Sequence, residues 1–168
     1  MSVQIAAGQP NEQVHLVDWQ HPEKNDFGLA EEVTLRGGHE RRPDLVLYLN
    51  GIAVGVIELK RSSVEIGDRM RQLITNQEEI FNLGFFATVQ LVFAGSDSQG
   101  LRYGTVTTRE EFFVDWKAAN TAPTTGALLD RPLAEMCEKF RLLDLLRNFI
   151  IFDGGVKKVP RHHQFACV

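Results

Sequence analysis

Residues 42–60 constrain this chain more than any other stretch. Arg42-Pro43-Asp44 leads into Leu45-Val46-Leu47-Tyr48-Leu49, then Asn50-Gly51, then Ile52-Ala53-Val54-Gly55-Val56-Ile57-Glu58-Leu59-Lys60. The run reads as an apolar β-hairpin with one acid at its entrance and an acid and an amine near its far end. Glu58 and Lys60 are two residues apart, so on a strand they share a face and stand ~6.7 Å apart along the chain. Two carboxylates can hold a hard divalent cation such as Mg²⁺, which prefers oxygen ligands and keeps several waters. An ammonium beside them can orient or activate an attacking water and offset charge building on a phosphate. That set of groups suits metal-assisted phosphodiester hydrolysis.

The bare formula of an Asp followed by Glu-x-Lys is weak, since about one match is expected by chance in a chain of this size. Asp115-Trp116-Lys117, with Asp97 upstream, is such a decoy. Context separates the two. Charges at 58 and 60 interrupt an apolar β-branched run where a buried strand would carry Val or Ile. Lys117 instead runs into a polar Ala/Thr/Asn stretch and reads as a surface lysine. A half-exposed hairpin with a solvated Glu-Lys face is the competing reading of residues 44–60.

Register sharpens the expectation. A symmetric two-residue Asn50-Gly51 turn would pair Leu49 with Ile52 and Asp44 with Ile57, and Asp44 and Glu58 would then point to opposite sides of the sheet. A metal site needs the other register. A three-residue loop, Leu49-Asn50-Gly51, with Gly51 in the left-handed conformation, would set Asp44 opposite Val56 and diagonal to Glu58. A bulge elsewhere in the hairpin would serve equally.

Bulk properties bound the rest. The 168 residues fit one domain with a linker or fragment attached, large enough for a core without metals or disulfides. Two cysteines, Cys137 and Cys167, make no disulfide framework and point to a reducing compartment. No apolar run reaches membrane-spanning length and the N-terminus has no signal layout, so a cytoplasmic location is expected. A net charge of −4 argues against strong autonomous DNA binding. Basic residues nevertheless gather near the hairpin: Arg36, His39, Arg41 and Arg42 before Asp44, and Arg61 after Lys60. They are either a solvated loop or, if the hairpin is a nuclease site, its phosphate contacts.

Along the chain, residues 1–12 read as a frayed N-terminus, and Val14–Trp19 and Phe27–Leu35 as strands about a turn at 21–25. Ile66–Leu83 reads as an amphipathic helix closed by Gly84. Phe86–Ala94 and Leu101–Thr107 read as further strands joined by a turn at 96–100. Residues 118–129 have linker character. A helix from Asp130, as N-cap, to about Phe149 follows, with Pro132 in its first turn and a dense apolar stripe. A basic tail at 157–164 ends abruptly, which suggests a piece of something longer.

These residues resemble the N-terminal nuclease domain of the R (restriction and motor) subunit of type I restriction-modification enzymes. The likeness rests on Asn25-Asp26-Phe27, Arg42-Pro43-Asp44, Asn50-Gly51, Ile57-Glu58-Leu59-Lys60, Leu101-Arg102-Tyr103-Gly104 and Leu145-Leu146-Arg147-Asn148-Phe149. It spans about residues 14–168, with Gln164 in the stretch that precedes that family's ATP-binding loop. The resemblance implies an α/β fold of the PD-(D/E)xK nuclease type, a mixed central sheet flanked by helices, with residues 13–117 as the nuclease domain and 130–168 as the start of a connection to a helicase motor. It implies Asp44 and Glu58 as metal ligands with the Leu59 carbonyl as a third, and Lys60 as the catalytic lysine. Mg²⁺ would be the metal, and Mn²⁺ could substitute.

The family's Gln-x-x-x-Tyr motif falls on Gln72, with Asn76 where Tyr is usual. Gln72 could equally be an ordinary polar position on an exposed helix face. The acid that many members carry on a preceding helix has only Glu12 as a weak counterpart. Arg36, Arg41, Arg42 and Arg61 would contact double-stranded DNA. No Gly-x-x-x-x-Gly-Lys-Ser/Thr loop occurs in these residues, so no ATP site is expected here. By resemblance, ATP-driven translocation belongs to a motor further along the full-length chain, and recognition and methylation to specificity and methyltransferase subunits. The implied activity is that of a type I site-specific deoxyribonuclease. The alternatives are a catalytically silent module of the same fold that docks the motor and core complex, and a repair or resolvase nuclease of that fold.

Overall fold

The computed structural model describes residues 2–3, 6, 8, 10–36, 38–60, 66–78, 82–117, 126 and 128–167. Six strands form one mixed sheet in chain order: β1 (Phe27–Glu31), β2 (Leu45–Leu49), β3 (Ile52–Lys60), β4 (Leu91–Ser96), β5 (Gly100–Gly104) and β6 (Val114–Asp115). Neighbours are antiparallel except β3 and β4, which run parallel. A parallel pair needs a crossover, and its main element is α1 (Ile66–Asn76).

The sheet is covered on both sides. On one face Val46, Val56, Val92 and Ala94 pack against Ile66, Met70 and Leu73 of α1 and against Phe86 of the short helix α2 (Leu83–Phe86). On the other, Leu47, Leu49, Ile57, Phe93 and Tyr103 meet Met136 of α3 (Asp130–Met136) and Leu142 and Leu143 of α4 (Lys139–Asp144). Burial on both faces explains why residues 52–57 of β3 and 91–95 of β4 carry no charged or polar side chain. The mixed sheet flanked by helices is the fold class expected from the sequence. Among the described residues, no helix is long and apolar enough to cross a membrane.

Several element expectations are corrected. Val14–Trp19 is irregular: Asp18 Oδ1 accepts from the amides of Gln20 (3.1 Å) and His21 (2.9 Å), and the Asn25 side chain grips the Asp18 backbone on both sides (2.9 and 2.8 Å). Such local bonds compete with a ladder. β1 stops at Glu31, because Glu32 turns to φ 51° and gives its amide to the Asp44 carbonyl. The long helix expected from Ile66 ends at Asn76, while Ile80 and Phe81 lie outside the described residues. Phe86 is helical rather than the start of a strand, and β4 begins at Leu91. β5 ends at Gly104, short of the expected Thr107.

The helix expected over 130–149 is three pieces. Leu129, not Asp130, is the N-cap of α3, and Glu138 starts α4 by accepting from the amides of Phe140 and Arg141. Leu145–Phe149 then winds as a π turn. The tail contains a hairpin, β7 (Ile151–Asp153) and β8 (Val156–Lys158), and a last helix α5 (His162–Ala166).

Candidate active site

The hairpin of β2 and β3 sets the register of the site. Asn50 and Gly51 both have positive φ, 50° and 78°, the conformation of a two-residue primed turn. Leu49 pairs with Ile52 and Tyr48 with Ala53, but Leu47 then pairs with Gly55, Val46 with Val56 and Leu45 with Ile57. The loop is therefore two residues long, not the three-residue loop expected. A β-bulge at Val54 supplies the shift instead, the alternative the register argument left open. Continued one step, this ladder sets Asp44 opposite Glu58.

Asp44, Val46, Val56 and Glu58 consequently share the face that α1 covers. Glu58 is fully buried there. Its carboxyl is pushed up to about 8, first by burial, then by repulsion from the Asp44 carboxylate, with Arg69 acting in the opposite sense and a hydrogen bond with Asp44 favouring the neutral form. Asp44 is half-buried, and its Oδ2 accepts from the amide of Leu59 at 2.6 Å. Glu58 Oε2 has no hydrogen-bond partner among the described residues. Its Oε1 is 3.5 Å from Asn76 Nδ2.

Lys60 closes the same strand and reaches Asp68 of α1, with Nζ 2.7 Å from Oδ2. Asp68 also accepts from Arg71, which reaches Glu110 at 2.9 Å. The bonds from Lys60 and then Arg71 hold the Asp68 carboxyl below its usual range. Asp44, Leu59 and Lys60 open onto a cleft of about 510 Å³ that Glu31, Glu32 and Asp97 also line. Four carboxylates and one ammonium line it, and even with Glu32 paired to Arg42 the hollow stays acidic, so that it disfavours a polyanion unless a cation enters with it.

Gln72 lies on α1 and reaches the acids indirectly: its Oε1 accepts from Arg69 Nη1 at 2.6 Å, and Arg69 Nη1 is 3.5 Å from Glu58 Oε2. Asn76, at the position where the family has Tyr, touches Glu58 itself and accepts from Arg41 Nε at 3.1 Å. Arg36 is exposed, and Arg42 is exposed and pairs with Glu32 at 3.6 Å. Arg61 lies outside the described residues. In the decoy, Asp115 pairs with Arg102 at 3.1 Å and Lys117 is exposed, as its polar surroundings led one to expect.

Sequence reasoning missed Arg69 and gave Asn76 no contact. A signal was present: Arg69, Gln72 and Asn76 recur at helical spacing and form one polar stripe on an otherwise apolar helix face.

The donor set fits a hard cation. Among the described residues no group of three or more His, Cys, Asp or Glu side chains is arranged for a metal. What stands here is a carboxylate pair, one of whose oxygens is buried without a hydrogen bond, and Mg²⁺ is commonly held by one or two carboxylates with waters completing the shell.

Comparison with known proteins gives a consistent result. Residues 2–112 match the family model described as type I restriction enzyme R protein N terminus (HSDR_N). The chain is 27% identical to the type I restriction enzyme HindI endonuclease subunit of Haemophilus influenzae, covering 94% of this chain and 16% of that protein. It is 25% identical to the putative MjaVIIIP endonuclease subunit of Methanocaldococcus jannaschii, over 96% and 16%. It is 28% identical to the EcoprrI endonuclease subunit of Escherichia coli, over 92% and 51%. This chain thus spans only part of the length of its relatives. With the family model covering most of its residues, the chain belongs to the type I restriction enzyme R protein N-terminal family.

Proposed function

We propose that this domain hydrolyses DNA phosphodiester bonds with a divalent metal, Mg²⁺ or Mn²⁺, as the nuclease part of a type I restriction enzyme R subunit. The observation that carries the reading is Glu58: a fully buried acid with one oxygen unbonded among the described residues, set opposite Asp44 by a bulge that serves no turn. An apolar strand gains nothing from such a residue, since burying an unsatisfied carboxyl costs several kcal/mol by order of magnitude.

Asp44, Glu58 and the Leu59 carbonyl would hold the cation. When bound, it supplies Lewis-acid polarisation of a phosphate and lowers the pKa of water. The Leu59 amide fixes the Asp44 carboxylate through the 2.6 Å bond to Oδ2, which leaves Oδ1 available to a cation. Lys60, steadied by Asp68, presents its ammonium on the same face, where it orients the attacking water and balances charge building on the phosphate. Arg36, Arg41, Arg42 and Arg61 would meet the DNA backbone. Because the cleft is acidic and the chain carries −4 overall, delivery of DNA would fall to the rest of a larger assembly: an ATP-driven motor on the full-length chain and the methyltransferase and specificity subunits. The cleft itself would act in the cytoplasm, where its substrate DNA lies.

The test compares the full-length subunit assembled with its partners, wild type against Lys60→Ala, with DNA cleavage and ATP hydrolysis followed in parallel in Mg²⁺. The expected result is loss of cleavage by at least about a hundredfold with ATP turnover near wild type. Cleavage that survives would make Lys60 a surface residue and leave a docking module of the same fold.

A further inference from the structure

Glu58 and Arg69 face each other across the sheet–helix boundary, and each has a buried atom without a hydrogen-bond partner among the described residues, Glu58 Oε2 and Arg69 Nε. Their 3.5 Å approach is longer than the roughly 2.7–2.9 Å of a closed charge-assisted hydrogen bond. The guanidinium is bonded instead to Gln72 at 2.6 Å and leans on Glu58 through charge alone. Lys60, the cation expected to serve the acids, is turned to Asp68.

We propose that Arg69 is the resident counter-cation of the Asp44–Glu58 pair, held in place by Gln72, and that a divalent cation must take Glu58 Oε2 from it. The proposal rests on the metal-site reading above. It makes Arg69 a positioning residue: it holds the buried Glu58 carboxyl in place until a metal takes that oxygen, without ligating the metal. It also gives Gln72 a role through Arg69 rather than through substrate. A closed bidentate Arg–Glu pair would have to be broken before a metal could enter; a guanidinium anchored elsewhere need only be outcompeted.

The consequence is a defined sign. Removing the guanidinium removes repulsion between two cations at one carboxylate, so metal affinity rises. The same change favours a proton on Glu58, but a proton carries one charge and the metal two, so the metal gains more. Binding of Mn²⁺ to the 168-residue chain can be followed at pH 7.5 by the fall of the free Mn²⁺ electron paramagnetic resonance signal. Arg69→Met, which keeps the aliphatic stem, should bind about tenfold tighter than wild type, and Arg69→Lys should return close to wild type. Arg69→Gln gives the same tightening if the Met variant does not fold, with circular dichroism and melting temperature as checks. Unchanged or weaker Mn²⁺ binding in a folded charge-free variant would overturn the counter-cation role. Glu58→Gln separates the two readings: wild-type binding that Glu58→Gln abolishes supports the metal site, whereas no wild-type uptake, or equal uptake by Glu58→Gln, would sink the metal site itself.

Discussion

Glu58 is the residue on which the energetics of this domain turn. Its folded carboxyl titrates at about 8 against an ordinary 4.5. In the metal-free chain the folded state therefore keeps a proton that the unfolded state releases. The stabilising contribution is fully present below about pH 4.5 and is lost as pH rises through about 8, by an amount on the order of a few kcal/mol. Melting temperature measured in chelator from pH 5 to 9 should fall more steeply for wild type than for Glu58→Gln, which cannot ionise. Parallel profiles would show that Glu58 is not the buried acid described. At this scale the sequence was most informative where it broke its own pattern: an acid and an amine inside an apolar strand. Arg69 was opaque because Asp68-Arg69-Met70-Arg71 reads as an ordinary charged helix surface, and only the fold reveals which of those charges turns inward.

The hairpin shows how far elements can be read. Asn50-Gly51 signalled the turn, and chemistry required an out-of-phase register. The position of the bulge was illegible, because Ile52 to Ile57 is apolar at every position and carries no period-two phase. Two element-level outcomes follow. Asn50 holds more than the turn: its Oδ1 accepts from the Asp26 amide at 2.7 Å, and its Nδ2 donates to the Leu16 carbonyl and Asn25 Oδ1, both at 2.8 Å. Asn50→Gly keeps a favourable turn and loses these ties, so urea denaturation should show a loss of about 1–2 kcal/mol. Deleting Val54 removes the bulge but leaves Leu47 opposite Gly55, and so Asp44 opposite Glu58, because the unpaired residue is the one taken out. The folded fraction of that variant, judged by circular dichroism, should keep its Mn²⁺ binding, since Asp44 and Glu58 still share a face. Lost binding in a folded variant would mean that the shared face of the two acids is not what makes the site. Helix 130–149 failed for a related reason: its apolar stripe is continuous, and the break depends on the Glu138 side chain choosing backbone amides, which no periodicity records.

Across the molecule, the mixed sheet and its two helical layers were legible through the resemblance, whereas the way the last residues are held was not. Tyr103 on the central sheet donates its buried hydroxyl to the Pro160 carbonyl at 2.5 Å. Trp116 makes edge contact with His162 and packs against Phe165 of α5. The C-terminal segment is thus bound to the same sheet that carries the acids, though its sequence reads as a basic tail. Tyr103→Phe should lower stability by about 1 kcal/mol or slightly more and raise amide exchange over residues 159–167 ahead of the rest. Uniform exchange would mean that this segment is not anchored through Tyr103.

The parallel pairing of β3 and β4 has a consequence for the chain while it folds. β2 and β3 are neighbours in sequence and can meet early, but β4 arrives only after the crossover through α1. Until then β3 is a nine-residue apolar edge, Ile-Ala-Val-Gly-Val-Ile-Glu-Leu-Lys, of the kind that recruits other chains. Glu58 and Lys60 are its only charges, so the residues proposed for chemistry double as its gatekeepers against aggregation. Alanine at both positions would leave an inactive strand that is also a sticky one, and insolubility could pass for loss of catalysis. Glu58→Gln and Lys60→Gln, which keep the strand end polar, are the cleaner probes of this site.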